Sequence, residues 1–237
     1  MIRLSQILFT QGFGTRRECE HRILAGTISV QGQRCEDPDE NFAPDGLRFE
    51  VDGREWPYHA KALVMLNKPA GYECSTKPRH HPSVMSLLPA PLRLRSGGAL
   101  QPVGRLDEDT TGLLLLTDDG ALIHRLTSPK HHIPKVYEVT TRHLISETLV
   151  PALISGVVLD DDPHPVRAYA CERVSDHHLR LTLTEGKYHQ VKRMVAAAGN
   201  RVDALHRSAV GHLTLPDSLA PGQWAWVPLP WPGVTAG

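Results

Sequence analysis

The spacing of apolar and polar positions changes character near residue 60. Before it, Thr15 followed three residues later by Glu18 has the form of a capping box. Cys19 and Ile23 then fall one helical turn apart, and Gly26 is placed to end the helix. A short strand over 27–30 is expected to turn at Gly32, and Leu47, Phe49 and Val51 alternate with Arg48, Glu50 and Asp52, the period of a half-buried strand. Trp56-Pro57-Tyr58 reads as a linker. Beyond it, strands are expected over 62–66, 113–116, 136–140, 166–171, 179–184, 213–215 and 224–227, punctuated by Gly, Pro or Asp. Helices are expected over 120–126, 146–154 and about 188–198. In the last of these, Val191, Met194, Val195 and Ala198 lie at i, i+3, i+4 and i+7, a core face stopped by Gly199-Asn200.

This mixture predicts an α+β protein: a catalytic-sized domain on a mixed, mostly antiparallel sheet, 60–237, preceded by a small module and linker, 1–59. Composition agrees with a folded domain, at 41% apolar and 22% charged residues. No apolar run approaches the roughly 18 residues of a membrane span, and the amino terminus lacks a secretory apolar region, so the expected location is the cytoplasm. Cys19, Cys35, Cys74 and Cys171 are widely spaced and predict reduced thiols rather than a zinc site or a disulfide framework.

Net charge is zero, but the charges are segregated. Arg3, Arg16, Arg17, Arg22 and Arg34 face only Glu18 and Glu20 in the first 34 residues. Lys187, Lys192, Arg193, Arg201 and Arg207 face only Asp203 between residues 187 and 212. Two such segments can bind phosphates in a neutral protein, or can be solvated helix faces.

For chemistry, the stretch "GRLDEDTTGLLLLTDDG" (104–120) places Arg105, Asp107 and Asp109 just ahead of a leucine strand. Paired carboxylates fit a glycosidase-like nucleophile and acid, and equally a carboxylate that merely caps a turn. The histidine doublets at 80, 131 and 177 do not form HExxH, and Gly12-Phe13-Gly14 lacks the remainder of a phosphate loop, so neither metal nor nucleotide cofactor is expected.

That stretch, with "VMLNKPAGYECST" before it, "LTSPKHHIPKVYEV" after it and "LTEGKYHQVKRMVAAAGNRVDALHR" near the end, resembles the ribosomal small subunit pseudouridine synthase family over nearly the whole chain. The resemblance implies a pseudouridine synthase fold behind an S-four-like RNA-binding domain at 1 to about 45. It implies Asp107 as the nucleophile, acting while uracil is detached from ribose, turned and rejoined through carbon. Arg105 is implied to fill the gap left in the RNA stack, Tyr137 to stack on the flipped base, and Lys192 to pair with the aspartate. With Arg105, the residues expected to contact RNA are Arg16, Arg17, Lys187, Arg193 and Arg207. The implied partner is ribosomal RNA, within a small-subunit assembly intermediate, for a monomeric enzyme with no cofactor. The alternatives are a large-subunit rRNA synthase of the same family, a non-catalytic ribosome-associated RNA-binding protein, and a glycoside hydrolase, which would explain neither basic segment.

Overall fold

The computed structural model describes residues 1–227 of 237; the last ten residues of the expected catalytic domain lie outside the described residues. They form two compact units.

The first unit comprises Met1–Ala62 together with Leu88–Gln101 and Thr117–Asp119. Its capping box is made: the Thr15 amide donates to Glu18 Oε2 at 2.7 Å and the Glu18 amide to Thr15 Oγ1 at 3.3 Å, opening the helix Arg16–Leu24. Such a cap is worth about 1 kcal/mol. The buried face of this helix, Cys19 and Ile23, packs against the helix Leu4–Thr10, which buries Leu4, Ile7 and Leu8. A four-stranded antiparallel sheet runs in the order Gln33–Cys35, Ile28–Val30, Arg48–Val51, Arg54–Pro57.

The last strand corrects the linker reading of Trp56. Asp52 and Gly53, both at positive φ (51° and 77°), make the tight turn that returns the chain, and Trp56 is buried opposite Phe49. Phe13 meets both rings edge-on at 5.5 and 5.3 Å. A buried ion pair, Arg95 Nε to Asp118 Oδ2 at 2.8 Å, ties the two later segments into this unit. Arg95 also donates to Gln11 Oε1 at 2.7 Å and to the His59 carbonyl at 2.5 Å, so a charge removed from water is hydrogen-bonded on several sides.

The second unit holds a mixed, mostly antiparallel sheet. Among the described residues its main path is Ala170–Arg173, His178–Leu183, Lys135–Thr141, Val202–Val210, Thr111–Thr117, Leu63–Lys68, Trp224–Trp226. Leu113 to Leu116 are all buried, because this inner strand is covered on both faces. Leu113 and Leu115 share a core with Leu63, Met65, and Leu122 and Leu126 of the helix Gly120–Thr127. Leu114 and Leu116 point to the opposite face.

The long strand Val202–Val210 is absent from the sequence-based expectation, yet it lies at the centre of the sheet. It runs parallel to Thr111–Thr117, with Arg207 opposite Gly112. Gly112 is required there: its φ is 103°, and a Cβ would lie 2.3 Å from the Arg207 carbonyl oxygen. The strand expected over 166–171 is instead two. Asp162–Val166, limited by Pro163 and Pro165, pairs only with Val157–Leu159 in a ribbon, and Ala170–Arg173 joins the large sheet. The remaining helices, Leu149–Ser155 and Gln190–Ala197, pack on each other, with Leu149, Leu153, Val191, Met194 and Val195 buried.

Candidate active site

The loop Gly104 to Thr110 feeds the leucine strand, and it is fixed from below. Lys68, fully buried at the end of Leu63–Lys68, donates from Nζ to the carbonyls of Pro69, Glu108 and Thr110 at 3.0, 3.1 and 2.8 Å. The Gly71 amide donates to the Glu108 carbonyl at 2.8 Å, and the Thr110 amide to the Asp107 carbonyl at 3.1 Å. The Leu106 amide donates to Cys74 Sγ at 3.4 Å. Burial pushes the Cys74 thiol pKa up, so that sulfur serves as a neutral acceptor and not as a thiolate.

On this loop the Asp107 carboxylate is about one-third exposed and sits between two nitrogens: Lys192 Nζ is 3.3 Å from Oδ2, and His189 Nε2 is 3.3 Å from Oδ1. Both come from one place. His189 takes a left-handed conformation (φ 47°) at the start of Gln190–Ala197, and Lys192 follows in the first turn. The Lys192 ammonium also reaches Asp109, at 2.7 and 2.9 Å from its two oxygens. Burial works against the Lys192 charge, but the hydrogen bond to Asp109 and the charges of Asp107 and Asp109 outweigh it and raise its pKa above the ordinary lysine value. Lys192 therefore stays cationic and holds two carboxylates at once. Asp109 is the more exposed and is bound to it more closely, whereas Asp107 lines the cavity.

That cavity, about 420 Å³, is bordered by Asp107, Arg105, Tyr137, Lys135, Lys187 and Arg207, among others. Tyr137 is nine-tenths buried in the strand Lys135–Thr141 and stands directly across from Arg207. Arg105 is exposed at the rim. The structure thus brings Asp107, Tyr137, Lys192 and Arg105 to one place. The arrangement places a carboxylate, held by the Lys192 ammonium and beside the His189 ring, in a cavity that Tyr137 also borders.

The expected RNA contacts are distributed differently. Lys187 borders the cavity but pairs with Asp162, and Arg193 pairs with Asp161, so the acidic turn of the ribbon engages both. Arg207 is only 3% exposed, with Nε donating to the Leu113 carbonyl at 2.8 Å; as an inward-facing member of a central strand it is part of the cavity wall and not an outer phosphate contact. Arg16 and Arg17 are exposed in the other unit, Arg16 lying 4.4 Å over the Phe9 ring.

Sequence reasoning missed Lys68, His189 and Lys135. The first lies in "NKPAG", the second in "KYHQVK" and the third in "PKVYEV", but a single Lys or His gives no sign of burial or direction. Among the described residues, no group of three or more His, Cys, Asp or Glu could hold a metal ion, and no helix is long and apolar enough to cross a membrane.

Comparison with known proteins gives concordant results. The profile of a family described as RNA pseudouridylate synthase matches residues 62–197. The chain is 47% identical over 224 residues to the ribosomal small subunit pseudouridine synthase A of Yersinia pestis, covering 94% of this chain and 93% of that protein. It is 44% identical over 230 residues to the protein of the same name from Escherichia coli strain K12, with 94% and 95% covered. A crystal structure of a pseudouridylate synthase aligns with a TM-score of 0.67 at 33% identity, covering 96% of each chain.

Proposed function

The chain belongs to the RNA pseudouridylate synthase family, and from that premise we propose that it isomerises one uridine of 16S ribosomal RNA to pseudouridine, with Asp107 as nucleophile. The target nucleotide leaves its stack and enters the cavity. Tyr137 stacks on the uracil, Arg105 fills the space vacated in the RNA, and Lys192 orients the Asp107 carboxylate. The Asp107 carboxylate bonds to the nucleoside as the C1′–N1 bond breaks, the base turns, and the carboxylate leaves again as C1′ bonds to C5; the C5 proton is lost and N1 gains one. Redox state and atom count are unchanged, so the reaction requires no nicotinamide or phosphate donor.

The observation that carries this reading is the Asp107 carboxylate, 3.3 Å from both Lys192 and His189, in a cavity walled by Tyr137. The names of the relatives support small-subunit over large-subunit rRNA. The first 59 residues act as an S-four-like RNA-binding domain, with the exposed Arg16 and Arg17 on phosphates, and residues 60–237 as the catalytic domain. The enzyme works as a cytoplasmic monomer on rRNA within a small-subunit assembly intermediate, where the target strand is still accessible.

The test is to map pseudouridine in the rRNA of a strain lacking this protein. Loss of one 16S position, restored by the intact gene, is the expected result. Loss confined to large-subunit rRNA would overturn the substrate, and an unchanged map would overturn the activity.

A further inference from the structure

The cavity contains more positive charge than Asp107 needs. Lys135 and Arg207 both border it, and among the described residues neither makes an ion pair. The other carboxylates on the cavity are engaged elsewhere: Glu73 accepts the amides of Arg79, His80 and His81, and Glu108 faces His81 at 3.9 Å. Lys135 Nζ has a backbone acceptor, the Ile133 carbonyl at 3.0 Å. Burial, and after it the charge of Arg207, lower its pKa below the ordinary lysine value.

The second observation concerns unmet hydrogen bonds. Among the described residues, the buried side-chain atoms without a partner are Arg207 Nη2 and Gln190 Nε2, and both residues border the space around Asp107. An unpaired buried donor costs about 1–3 kcal/mol, more when charged, so both donors are open to an acceptor entering the cavity, whether water or a substrate oxygen. The sheet sets the direction. Arg207 is directly across from Tyr137, Lys135 lies two residues from Tyr137 on the same face, and all three border the cavity in which the base is expected to stack.

We propose that Lys135 and Arg207 stabilise the uracil in its detached state, when it carries the electron pair of the broken C1′–N1 bond as negative charge spread over N1, O2 and O4. This rests on the pseudouridine synthase reading above. Neutral uridine gains little from two unpaired cations; the anion gains much, because the buried site screens charge weakly and the donors are already in place. The charge disappears when C5 bonds to C1′, C5 releases its proton and N1 takes one. The two cations therefore favour the intermediate over substrate and product, which is the condition for accelerating the reaction. A phosphodiester would also suit a cation pair, but its charge is the same before, during and after the reaction, so it would affect affinity and not rate.

The experiment compares wild type, Lys135→Met, Arg207→Gln and Arg207→Lys on the same RNA with uridine or 5-fluorouridine at the target. Single-turnover consumption of the target nucleoside at saturating protein and RNA affinity are both measured. With uridine, Lys135→Met and Arg207→Gln should slow consumption on the order of 100-fold, with affinity unchanged; unchanged affinity also reports that the variants fold. Arg207→Lys, which keeps a cation, should retain more of the rate. Fluorine at C5 withdraws charge from the departing base, so with 5-fluorouridine the defect of each variant should shrink. A defect in affinity with full rate at saturation would make the pair a phosphate anchor and overturn the proposal, as would equal defects on the two substrates or no defect. If wild type itself forms no pseudouridine, the functional reading fails first and the proposal falls with it.

Discussion

Lys68→Met should detach the catalytic loop from its floor without changing the volume of the core. The lysine is fully buried and supplies donors to three carbonyls, those of Pro69, Glu108 and Thr110. Methionine fills similar space and donates nothing. The Glu108 carbonyl keeps the Gly71 amide, so two carbonyls are left without the donor they had, at about 1–3 kcal/mol each. Part of this is offset because the ammonium no longer has to be desolvated, the same burial that lowers the Lys68 pKa. The expected net loss is about 2–4 kcal/mol of unfolding free energy. The functional effect should be larger than stability alone implies, since Glu108 and Thr110 flank the loop that holds Asp107, and a displacement of about 1 Å at a reacting group can cost on the order of 100-fold in rate. Urea denaturation gives the first quantity, and single-turnover pseudouridine formation at saturating folded protein gives the second. RNA affinity should be little changed. A variant of wild-type stability that reacts within about threefold of wild type would refute the anchoring role.

Three further outcomes follow from the charges. Asp161→Asn with Asp162→Asn releases Arg193 and Lys187, so RNA should bind severalfold more tightly and with steeper salt dependence; weaker binding would mean that the acidic turn positions these cations instead of occupying them. Of the amino-terminal arginines, Arg3, Arg22 and Arg34 are already paired with Asp39, Asp52 and Glu36. Arg16→Gln with Arg17→Gln should therefore make the slope of log affinity against log salt shallower by about 1.4, at about 0.7 per phosphate contact, and an unchanged slope would remove these two from the interface. The Asp109 carboxyl is partly buried, which acts to raise its pKa, but the hydrogen bond and charge of Lys192 outweigh this and lower it. Its stabilising contribution is thus present above the ordinary carboxylate value of about 4 and is lost as pH falls through the lowered value. The stability difference between wild type and Asp109→Asn should shrink below about pH 4, and a constant difference down to pH 2 would count against the pairing.

What the sequence made legible is what short-range chemistry encodes. The Thr15–Glu18 box names both partners within one turn, and the leucine run at 113–116 can only be an interior strand once it is too short for a helix. The strand Val202–Val210 was illegible because its period is blurred. His206 and Arg207 sit inside it, and Arg207 is polar yet buried, held by a carbonyl nearly a hundred residues away in sequence. The same limit hid the roles of Lys68 and His189, which depend on direction and burial set by the fold. It also made Lys187 and Arg193 look like free cations, since their partners, Asp162 and Asp161, lie on a ribbon almost wholly outside the strand expected over 166–171. At 56–58 the miss was local: Asp52-Gly53 between alternating residues is a hairpin signal, and reading it would have placed Trp56 in the core.

The proposed chemistry turns on attack of the Asp107 carboxylate on the flipped nucleoside. Asp107→Asn keeps the shape of the side chain and removes the nucleophile, while the neighbouring Asp109 still holds Lys192. Single-turnover conversion of a target uridine at saturating enzyme, followed by nuclease digestion and chromatography, measures the consequence directly, alongside the dissociation constant for the same RNA. No pseudouridine above background is expected, with affinity within about threefold of wild type. Pseudouridine formed within about tenfold of the wild-type rate would contradict it.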